Sequence, residues 1–173
     1  MDFWDVVEAR HSVRNFAPSR DVTPEEVERL LRAAIRAPSA GNRQPWHFCV
    51  VRDAQVKHLL AQAAYGQRFV AQAPVVIVVC AVPGRSAARY GARGSQLYCL
   101  QDTAAAIEHI LLGAVALGLG ACWVGAFDEA AAAAALELDR AMRPVAIVPI
   151  GKPLGRPAYR TDRLPLEDVT TYL

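Results

Sequence analysis

The sequence lacks an excess of charge of either sign. Lysine and arginine together number 19 and aspartate and glutamate 17, so the formal net charge is only +2. A nucleic-acid-binding domain normally concentrates basic residues on one face, so this balance argues against a nucleic-acid partner. Hydrophobic residues make up 53% of the chain. That fraction excludes intrinsic disorder, because disordered chains combine low hydrophobicity with high net charge.

Long hydrophobic runs are also missing. The longest apolar stretch, residues 110–125, is too short to cross a bilayer and contains glycines in its second half. The N-terminus carries Asp2, Asp5 and Glu8 and lacks the apolar centre of a signal peptide. We therefore expect a cytoplasmic protein without a membrane partner.

The four cysteines do not form a C-x-x-C pair. Metal sites usually show closely spaced ligands, so no metal is expected. Cys49, Cys80 and Cys122 lie inside apolar runs, and we interpret them as small buried hydrophobic residues.

The familiar catalytic and nucleotide-binding motifs are absent as well. No G-x-G-x-x-G, Walker loop, H-E-x-x-H or G-x-S-x-G is present, and the four histidines are dispersed. No pair of carboxylates stands out as an acid–base couple. If the protein is an enzyme, its chemistry therefore belongs to a cofactor.

The hydrophobic pattern predicts helices and strands in irregular alternation. Helices are expected at residues 2–9, 24–37, 54–64, 95–117 and 129–138, and strands at residues 46–51, 75–79 and 145–150. Residues 121–127 are expected to form a short strand and a turn. Thr23-Pro24-Glu25-Glu26 is a capping box with proline at the first helical position. Residues 82–94 contain three glycines and are expected to be a flexible connection. Because the strands are strongly apolar, we expect a sheet covered by helices.

No repeat or linker divides the chain, so residues 1–173 are expected to form a single domain. Residues 152–173 are rich in proline and show little periodicity. This segment is too long for a loose tail, and we interpret it as an extended arm that packs on another surface.

Two segments have an unusual density of polar side chains. Residues 10–14 (R-H-S-V-R) offer two guanidiniums, an imidazole and a hydroxyl. In an extended segment residues 10, 12 and 14 would point the same way and could clamp a phosphate. The alternative is a solvated basic turn after a helix.

The second segment is residues 38–46 (P-S-A-G-N-R-Q-P-W). Its hydroxyl and amide groups can both donate and accept hydrogen bonds, which suits the edge of a heterocycle. The alternative is a loop whose side chains satisfy its own backbone.

Taken together, four motifs resemble those of the FMN-dependent nitroreductase family. They are R-H-S-V-R-N-F at residues 10–16, A-P-S-A-G-N-R-Q-P-W-H-F at 37–48, G-L-G-A-C-W-V-G-A-F at 118–127 and V-P-I-G-K-P at 148–153. The resemblance covers nearly the whole chain. It implies an α+β, three-layer α/β/α fold with a mixed central sheet, and a homodimer in which the C-terminal arm packs on the partner subunit.

The resemblance also implies which residues bind the cofactor. Arg10 and Ser12 would hold the FMN phosphate and ribityl chain, and Arg14 would lie at the N1–C2=O edge. Backbone N–H groups of Val124 and Gly125 would face flavin N5 and O4. The full set implied to contact FMN is His11, Pro38, Ser39, Ala40, Asn42, Trp123 and Arg163 in addition to these five, with residues 38–40 coming from the partner subunit.

Two positions keep alternatives open. Arg163 aligns best with the C-terminal arginine that closes on the phosphate, and Arg160 is the fallback. Gln67 could reach the flavin pyrimidine edge or could be a surface residue.

The implied activity is that of an NAD(P)H oxidoreductase. NADH or NADPH would reduce FMN at N5, and a nitroaromatic, quinone or flavin would then be reduced in a ping-pong reaction without a catalytic side chain. Two alternatives remain. The first is an FMN-binding protein that serves as a store or sensor or that carries out specialised flavin chemistry (dehalogenation, flavin cleavage). The second is a small-anion-binding domain without flavin. The two flavins are expected at the dimer interface.

Overall fold

The computed structural model describes three stretches of the chain, residues 1–18, 20–155 and 161–173. Helices and strands alternate irregularly along them. The helices are α1 (Phe3–Ala9), α2 (Pro24–Ala34), α3 (Ala54–Ala63), α4 (Phe69–Gln72), α5 (Pro83–Arg93), α6 (Cys99–Ala116) and α7 (Glu129–Ala135). Short 3₁₀ turns at Ala40–Asn42 and Leu166–Val169 and a π-helical turn at Gly94–Tyr98 complete the helical structure described.

Four strands form one sheet. They are β1 (Trp46–Val51), β2 (Val75–Ala81), β3 (Gly120–Ala121) and β4 (Arg143–Gly151), in the spatial order β1-β2-β4-β3. Each neighbouring pair is antiparallel. The four strands therefore form an antiparallel sheet instead of the mixed sheet that the resemblance implies. One isolated parallel bridge, between Ser12 and Ala121, lies outside these strands.

Helices cover both faces of the sheet. Every residue of β2 is therefore fully buried. Val75, Ile77 and Val79 face a core shared with α2 and α6. Val76 and Val78 face a second core shared with α3, α4 and α7. The expected three-layer α/β/α arrangement is thereby confirmed.

Local sequence signals set the helix starts. Thr23 Oγ1 accepts from the N–H of Glu26, whose carboxylate accepts from the N–H of Thr23, so the predicted capping box is present. The Asp53 and Asp128 carboxylates cap α3 and α7 by accepting backbone N–H groups. Each cap satisfies N–H groups that the helix itself leaves unpaired.

The expected flexible connection at residues 82–94 is wrong. Most of it is helix α5, which has a break at Gly91 (φ 54°, ψ −138°). Gly94 lies against the preceding helix, and a Cβ there would be 2.5 Å from the carbonyl oxygen of Ser86. These glycines therefore permit a sharp bend and a close approach, which the sequence pattern does not distinguish from flexibility.

Other boundaries also differ from those predicted. The short strand and turn expected at residues 121–127 begins one residue earlier, as strand Gly120–Ala121, and continues to an isolated bridge between Val124 and Ile147. The second helix ends at Ala34 and not at residue 37. The last predicted helix ends at Ala135. No helix in the described stretches has both the length and the apolarity that crossing a bilayer would need.

Candidate functional site

The arginine-containing segment at residues 10–14, here the clamp segment, lies beside residues 120–125, here the glycine turn. Ser12 pairs with Ala121 in the parallel bridge, and the Val13 N–H donates to the Ala121 carbonyl over 2.9 Å. Gly120 makes this approach possible, because a Cβ there would lie 2.6 Å from Val13 Cγ2. Two motifs more than a hundred residues apart in the sequence thus form one surface.

Side chains alternate along the clamp segment. Val13 is buried in the core that also holds Cys122 and Val124. Ser12 and Arg14 are exposed. Successive residues of an extended segment point to opposite sides, so the hydroxyl and the guanidinium share the outer side, as the sequence predicts.

Arg10 and His11 begin this segment at the end of α1. The Arg10 Nε lies 4.0 Å from a carboxylate oxygen of Glu108 on α6, and the Glu108 side chain is 46% exposed. An ion pair this long between partly exposed groups is weak, so Arg10 remains able to bind another anion. The Nδ1 of His11 is 2.9 Å from the Ala9 carbonyl oxygen, which orients its ring.

The Arg14 guanidinium acts on the buried thiol of Cys122. Burial raises the pKa of Cys122, and the Arg14 guanidinium opposes that increase. The thiol therefore stays neutral near pH 7 and does not neutralise Arg14. The guanidinium lies 5.9 Å from the centre of the Phe69 ring, which supports it from one side.

Of the two backbone N–H groups that the resemblance places at the flavin, those of Val124 and Gly125, one is already paired within the chain. The Val124 N–H donates to the Ile147 carbonyl over 2.9 Å, and the Val124 side chain is buried. This corrects the expectation that both N–H groups face the flavin. The Gly125 N–H has no hydrogen-bond partner in the described residues. The position of a Gly125 Cβ is open, with only Trp123 Nε1 within 4 Å, at 3.8 Å.

Trp123 points away from Cys122 and Val124. Its side chain is 39% exposed and lines a cleft of about 250 Å³ with residues of α6 and the Glu129–Arg143 ion pair. Trp123 and Gly125 thus lie on the accessible side of the turn, whereas Cys122 and Val124 pack inward.

The amide-rich loop, residues 38–44, is held by its own side chains. Ser39 Oγ accepts from the Gln44 N–H over 3.0 Å, and Gln44 Nε2 donates to Asn42 Oδ1 over 3.2 Å. Gly41, Asn42 and Gln44 all have positive φ angles, between 49° and 55°. These contacts agree with the alternative in which the side chains of the loop form hydrogen bonds within the loop. Pro38 and Asn42 are nevertheless exposed.

A buried carboxylate that the sequence reasoning missed anchors this loop. Asp102 on α6 is 7% exposed, and its Oδ1 accepts from the Ala40 N–H over 3.1 Å. Its Oδ2 is buried without a hydrogen-bond partner in the described residues. Burial raises the pKa of Asp102, and the hydrogen bond from Ala40 opposes the increase. The available signal was an acidic residue on the apolar face of a helix, between the buried Cys99 and Ala106.

The remaining predicted positions have local partners. Gln67 Nε2 donates to the carbonyls of Ala64 and Ala126, so it holds the backbone just after the glycine turn. Within the described residues, the hydrogen bonds of Arg163 go to Thr161 and Asp162 of its own arm, and none of them joins it to Arg10. Arg160 lies outside the described residues.

The predicted residues therefore fall into two groups within one chain. The clamp segment and the glycine turn are together, whereas no described hydrogen bond or ion pair joins them to the amide-rich loop. The first group combines the partly buried guanidinium of Arg10, the exposed guanidinium of Arg14, a hydroxyl and an open glycine N–H. This donor set fits a phosphate and the polar edge of a flavin ring. No three metal-binding side chains are grouped in the described part of the chain.

The model of the Nitroreductase family matches residues 7–67 and 58–152. The chain belongs to the nitroreductase family. This confirms the resemblance drawn from the four motifs, because the matched residues include the clamp segment, the amide-rich loop and the glycine turn.

Relatives and solved structures agree with that assignment. An NADH dehydrogenase of Thermus thermophilus is 35% identical, over 94% of this chain and 92% of the relative. An oxygen-insensitive NADPH nitroreductase of Helicobacter pylori is 23% identical, over 93% of this chain and 92% of the relative. The crystal structure of a nitroreductase family protein from Clostridium novyi is 33% identical, with a TM-score of 0.80 over 89% of this chain and 86% of that chain. The nitroreductase-like fold is therefore confirmed.

Proposed function

We propose that this protein is an FMN-dependent NAD(P)H oxidoreductase that reduces a second substrate in a ping-pong reaction. Family membership and the names of the relatives give the class, an NAD(P)H-dependent oxidoreductase. The observation that carries the proposal is the pairing of the clamp segment with the glycine turn at Ser12 and Ala121. When bound, FMN supplies hydride acceptance and donation at N5.

The side chains of the clamp segment have separate roles in this proposal. Arg10 and Ser12 bind the phosphate and ribityl chain, because a guanidinium forms strong charge-assisted hydrogen bonds with phosphate oxygens. Arg14 lies at the pyrimidine edge, where a fixed positive charge stabilises the electron pair that the ring gains. The Phe69 ring and the neutral Cys122 thiol leave that charge uncompensated.

The Gly125 N–H is the backbone donor that we assign to the N5–O4 side of the ring. Its amide has no partner within the described residues, and only Trp123 Nε1 lies within 4 Å of its Cβ position. Val124 supports this donor by fixing the turn to Ile147. A side chain at residue 125 would occupy the space that we assign to the ring.

The site is completed by a second copy of the chain in our proposal. The single chain leaves Pro38, Ser39, Ala40 and Asn42 apart from the clamp segment, so they would contact the flavin of the partner subunit. The C-terminal arm exposes large apolar side chains, including Leu164 at 71% and Tyr172 at 87%. A partner surface would bury them, and it would bring Arg163 toward a phosphate.

We further propose that residues 1–173 act as one domain and that the enzyme works in the cytoplasm. A reducing compartment would keep its four free cysteines reduced.

Absorbance spectroscopy tests the activity directly. The purified protein should show flavin bands that bleach on anaerobic addition of NADH or NADPH and return when a quinone or nitroaromatic is added. Bands that persist with both donors would favour the alternative of an FMN-binding protein without turnover. If no bands appear even after FMN is added, the proposal is wrong.

The phosphate assignment has its own test. Arg10→Ala should weaken FMN binding roughly 10- to 100-fold, because it removes a charge-assisted hydrogen bond. Arg36→Ala, an exposed arginine remote from the clamp segment in sequence, is the control and should leave the affinity unchanged. Fluorescence titration of FMN measures both. An unchanged affinity for Arg10→Ala would contradict the assignment.

A further inference from the structure

Two arginines and two tyrosines form a continuous patch at the end of α5, here the Arg–Tyr patch (Arg89, Tyr90, Arg93 and Tyr98). The Tyr90 and Tyr98 rings meet edge to face, 5.1 Å between centres. The Arg93 guanidinium lies 5.2 Å from the centre of the Tyr98 ring, and its Nε donates to the Tyr98 hydroxyl over 2.8 Å. Arg89 lies 5.5 Å from the centre of the Tyr90 ring. The aromatic rings thus hold both guanidiniums in place.

Neither arginine of the patch has a carboxylate partner in the described residues. The ion pairs there engage other arginines, at positions 10, 20, 32, 52 and 143. Both patch arginines are exposed at the surface. Two ordered guanidiniums without a counter-charge create a positive potential that attracts an anion, and their planar donors match phosphate oxygens.

The patch adjoins the amide-rich loop. A Cβ on Gly41 would clash with the Tyr90 hydroxyl and lie 3.1 Å from Arg89 Nη1, so the two surfaces touch. The Arg43 Nε donates to the Arg85 carbonyl over 2.8 Å, and Arg85 Nη1 donates to the Gln44 carbonyl over 3.1 Å. These bonds fasten α5 to the loop on both sides, so the patch keeps a fixed position relative to it.

We propose that the Arg–Tyr patch binds the phosphate groups of the dinucleotide donor and favours NADPH, which carries one phosphate more than NADH. The inference rests on the proposed function, in which the neighbouring loop lines the flavin. Arg89 and Arg93 form charge-assisted hydrogen bonds with the phosphates, and the partly exposed tyrosine rings contact the adenosine. This site is distinct from the clamp segment, which we assign to the phosphate of FMN.

Direct binding tests the patch without turnover. Isothermal titration calorimetry of the purified protein with adenosine 2′,5′-bisphosphate, and with adenosine as the phosphate-free probe, should show binding of the bisphosphate only. In the double variant Arg89→Gln/Arg93→Gln the affinity should fall at least tenfold, since each lost hydrogen bond to a charged group weakens binding by about that factor. Arg29→Gln, an exposed arginine on α2, is the matched control. It should bind like the unaltered chain, and circular dichroism should show all three folded.

Donor kinetics give a second readout. The unaltered enzyme should have the higher kcat/KM with NADPH, and the double variant should lose that preference through a raised KM while kcat is retained. Higher salt should lower kcat/KM for NADPH less in the double variant than in the unaltered enzyme.

The outcomes separate this inference from the proposed function. Absence of bisphosphate binding to the unaltered chain, or equal binding by the double variant, overturns the patch even if flavin is bound and reduced. Bisphosphate binding that depends on Arg89 and Arg93 supports the patch as a phosphate site even if no flavin band appears, in which case the proposed function alone fails.

Discussion

At the scale of single residues, Asp102 is a carboxylate in an environment that disfavours its charge. Its carboxylate is buried, one oxygen has a single hydrogen bond from Ala40, and the other oxygen has none. Burial penalises the charged form, so the pKa of Asp102 is raised. A group whose pKa is higher in the folded than in the unfolded chain makes the fold less stable as the pH rises between the two values.

Replacing Asp102 with asparagine should therefore stabilise the protein near neutral pH. The amide oxygen can still accept from Ala40, while the cost of a buried charge is removed. The gain should be largest near pH 7 and should shrink toward pH 4, where the wild-type carboxyl is protonated. Urea unfolding at both pH values measures it. Asp102→Ala loses the acceptor for Ala40 and should destabilise the fold at both pH values. A gain for the asparagine variant that does not depend on pH would contradict the raised pKa.

Cys49 and Cys80 are a second unusual feature at this scale. They lie diagonally on neighbouring strands, because Cys80 is opposite His47 and Cys49 is opposite Val78. A hydrogen bond from the Cys80 thiol lowers the pKa of Cys49 to about 6, against the opposing effect of burial and with a smaller contribution from His47. The same hydrogen bond, and then burial, raise the pKa of Cys80.

We expect Cys49 to be the fastest-reacting thiol of the folded protein. The rate of its alkylation by iodoacetamide should rise with pH, with a midpoint at about pH 6, because the thiolate is the nucleophile. The buried Cys99 and Cys122, whose pKa values are raised by burial, should react only after unfolding. Peptide mass spectrometry of a timed reaction measures each site. In Cys80→Ala the midpoint for Cys49 should move toward the ordinary thiol value of about 8.5, and an unmoved midpoint would refute the hydrogen-bonded pair.

At the scale of elements, α5 and the π-helical turn after it depend on one close contact. Gly94 approaches the backbone of Ser86, and the Ser86 side chain is fully buried. Gly84 lies in the same helix with no atom within 4 Å of its Cβ position. Substitution by alanine should therefore have opposite effects on stability at the two glycines.

Gly94→Ala should destabilise the protein by about 1–3 kcal/mol, because the added methyl meets backbone atoms that cannot move without shifting α5. Gly84→Ala, the matched control, should stabilise it by roughly 0.5–1 kcal/mol, because alanine reduces the freedom of the unfolded chain at a position without crowding. Thermal unfolding of the two variants gives the comparison. If both alanines have the same effect, the packing of α5 on the π-helical turn is wrong.

At the scale of the whole molecule, the described part of the arm does not cover its own apolar surface. Residues 161–173 contain a short 3₁₀ turn, and their described hydrogen bonds stay within the arm. Leu164, Leu166 and Tyr172 are each more than 60% exposed. Exposed apolar side chains in such number indicate a surface that another protein surface covers.

The proposed homodimer should sediment at about twice the chain mass of 18.7 kDa. Leu164→Ser/Leu166→Ser should shift the equilibrium toward monomer, since each buried leucine contributes about 1.5–3 kcal/mol. Glu167→Gln, a change at the exposed neighbour, should leave the dimer intact. Sedimentation equilibrium measures the mass, and a single species of 18.7 kDa for the unaltered holoprotein would exclude the dimer.

Local patterns were enough to predict most elements of the fold. The capping box at Thr23, the apolar run of β2 and the long helix α6 all depend on residues close together in the sequence. The segment that became α5 was missed, because its glycines permit both a flexible chain and a tightly packed bend. Only the position of Ser86 against Gly94 decides between the two.

The sequence by itself determined the family, the layered fold, the two polar segments and the glycine-containing motif, because periodicity and short motifs carry that information. The tertiary structure alone decided which groups are available for binding. It commits the Val124 N–H to Ile147, leaves the Gly125 N–H open and places Asp102 under Ala40. Each of these outcomes depends on backbone atoms from distant parts of the chain approaching within hydrogen-bonding distance, and no local pattern encodes that approach.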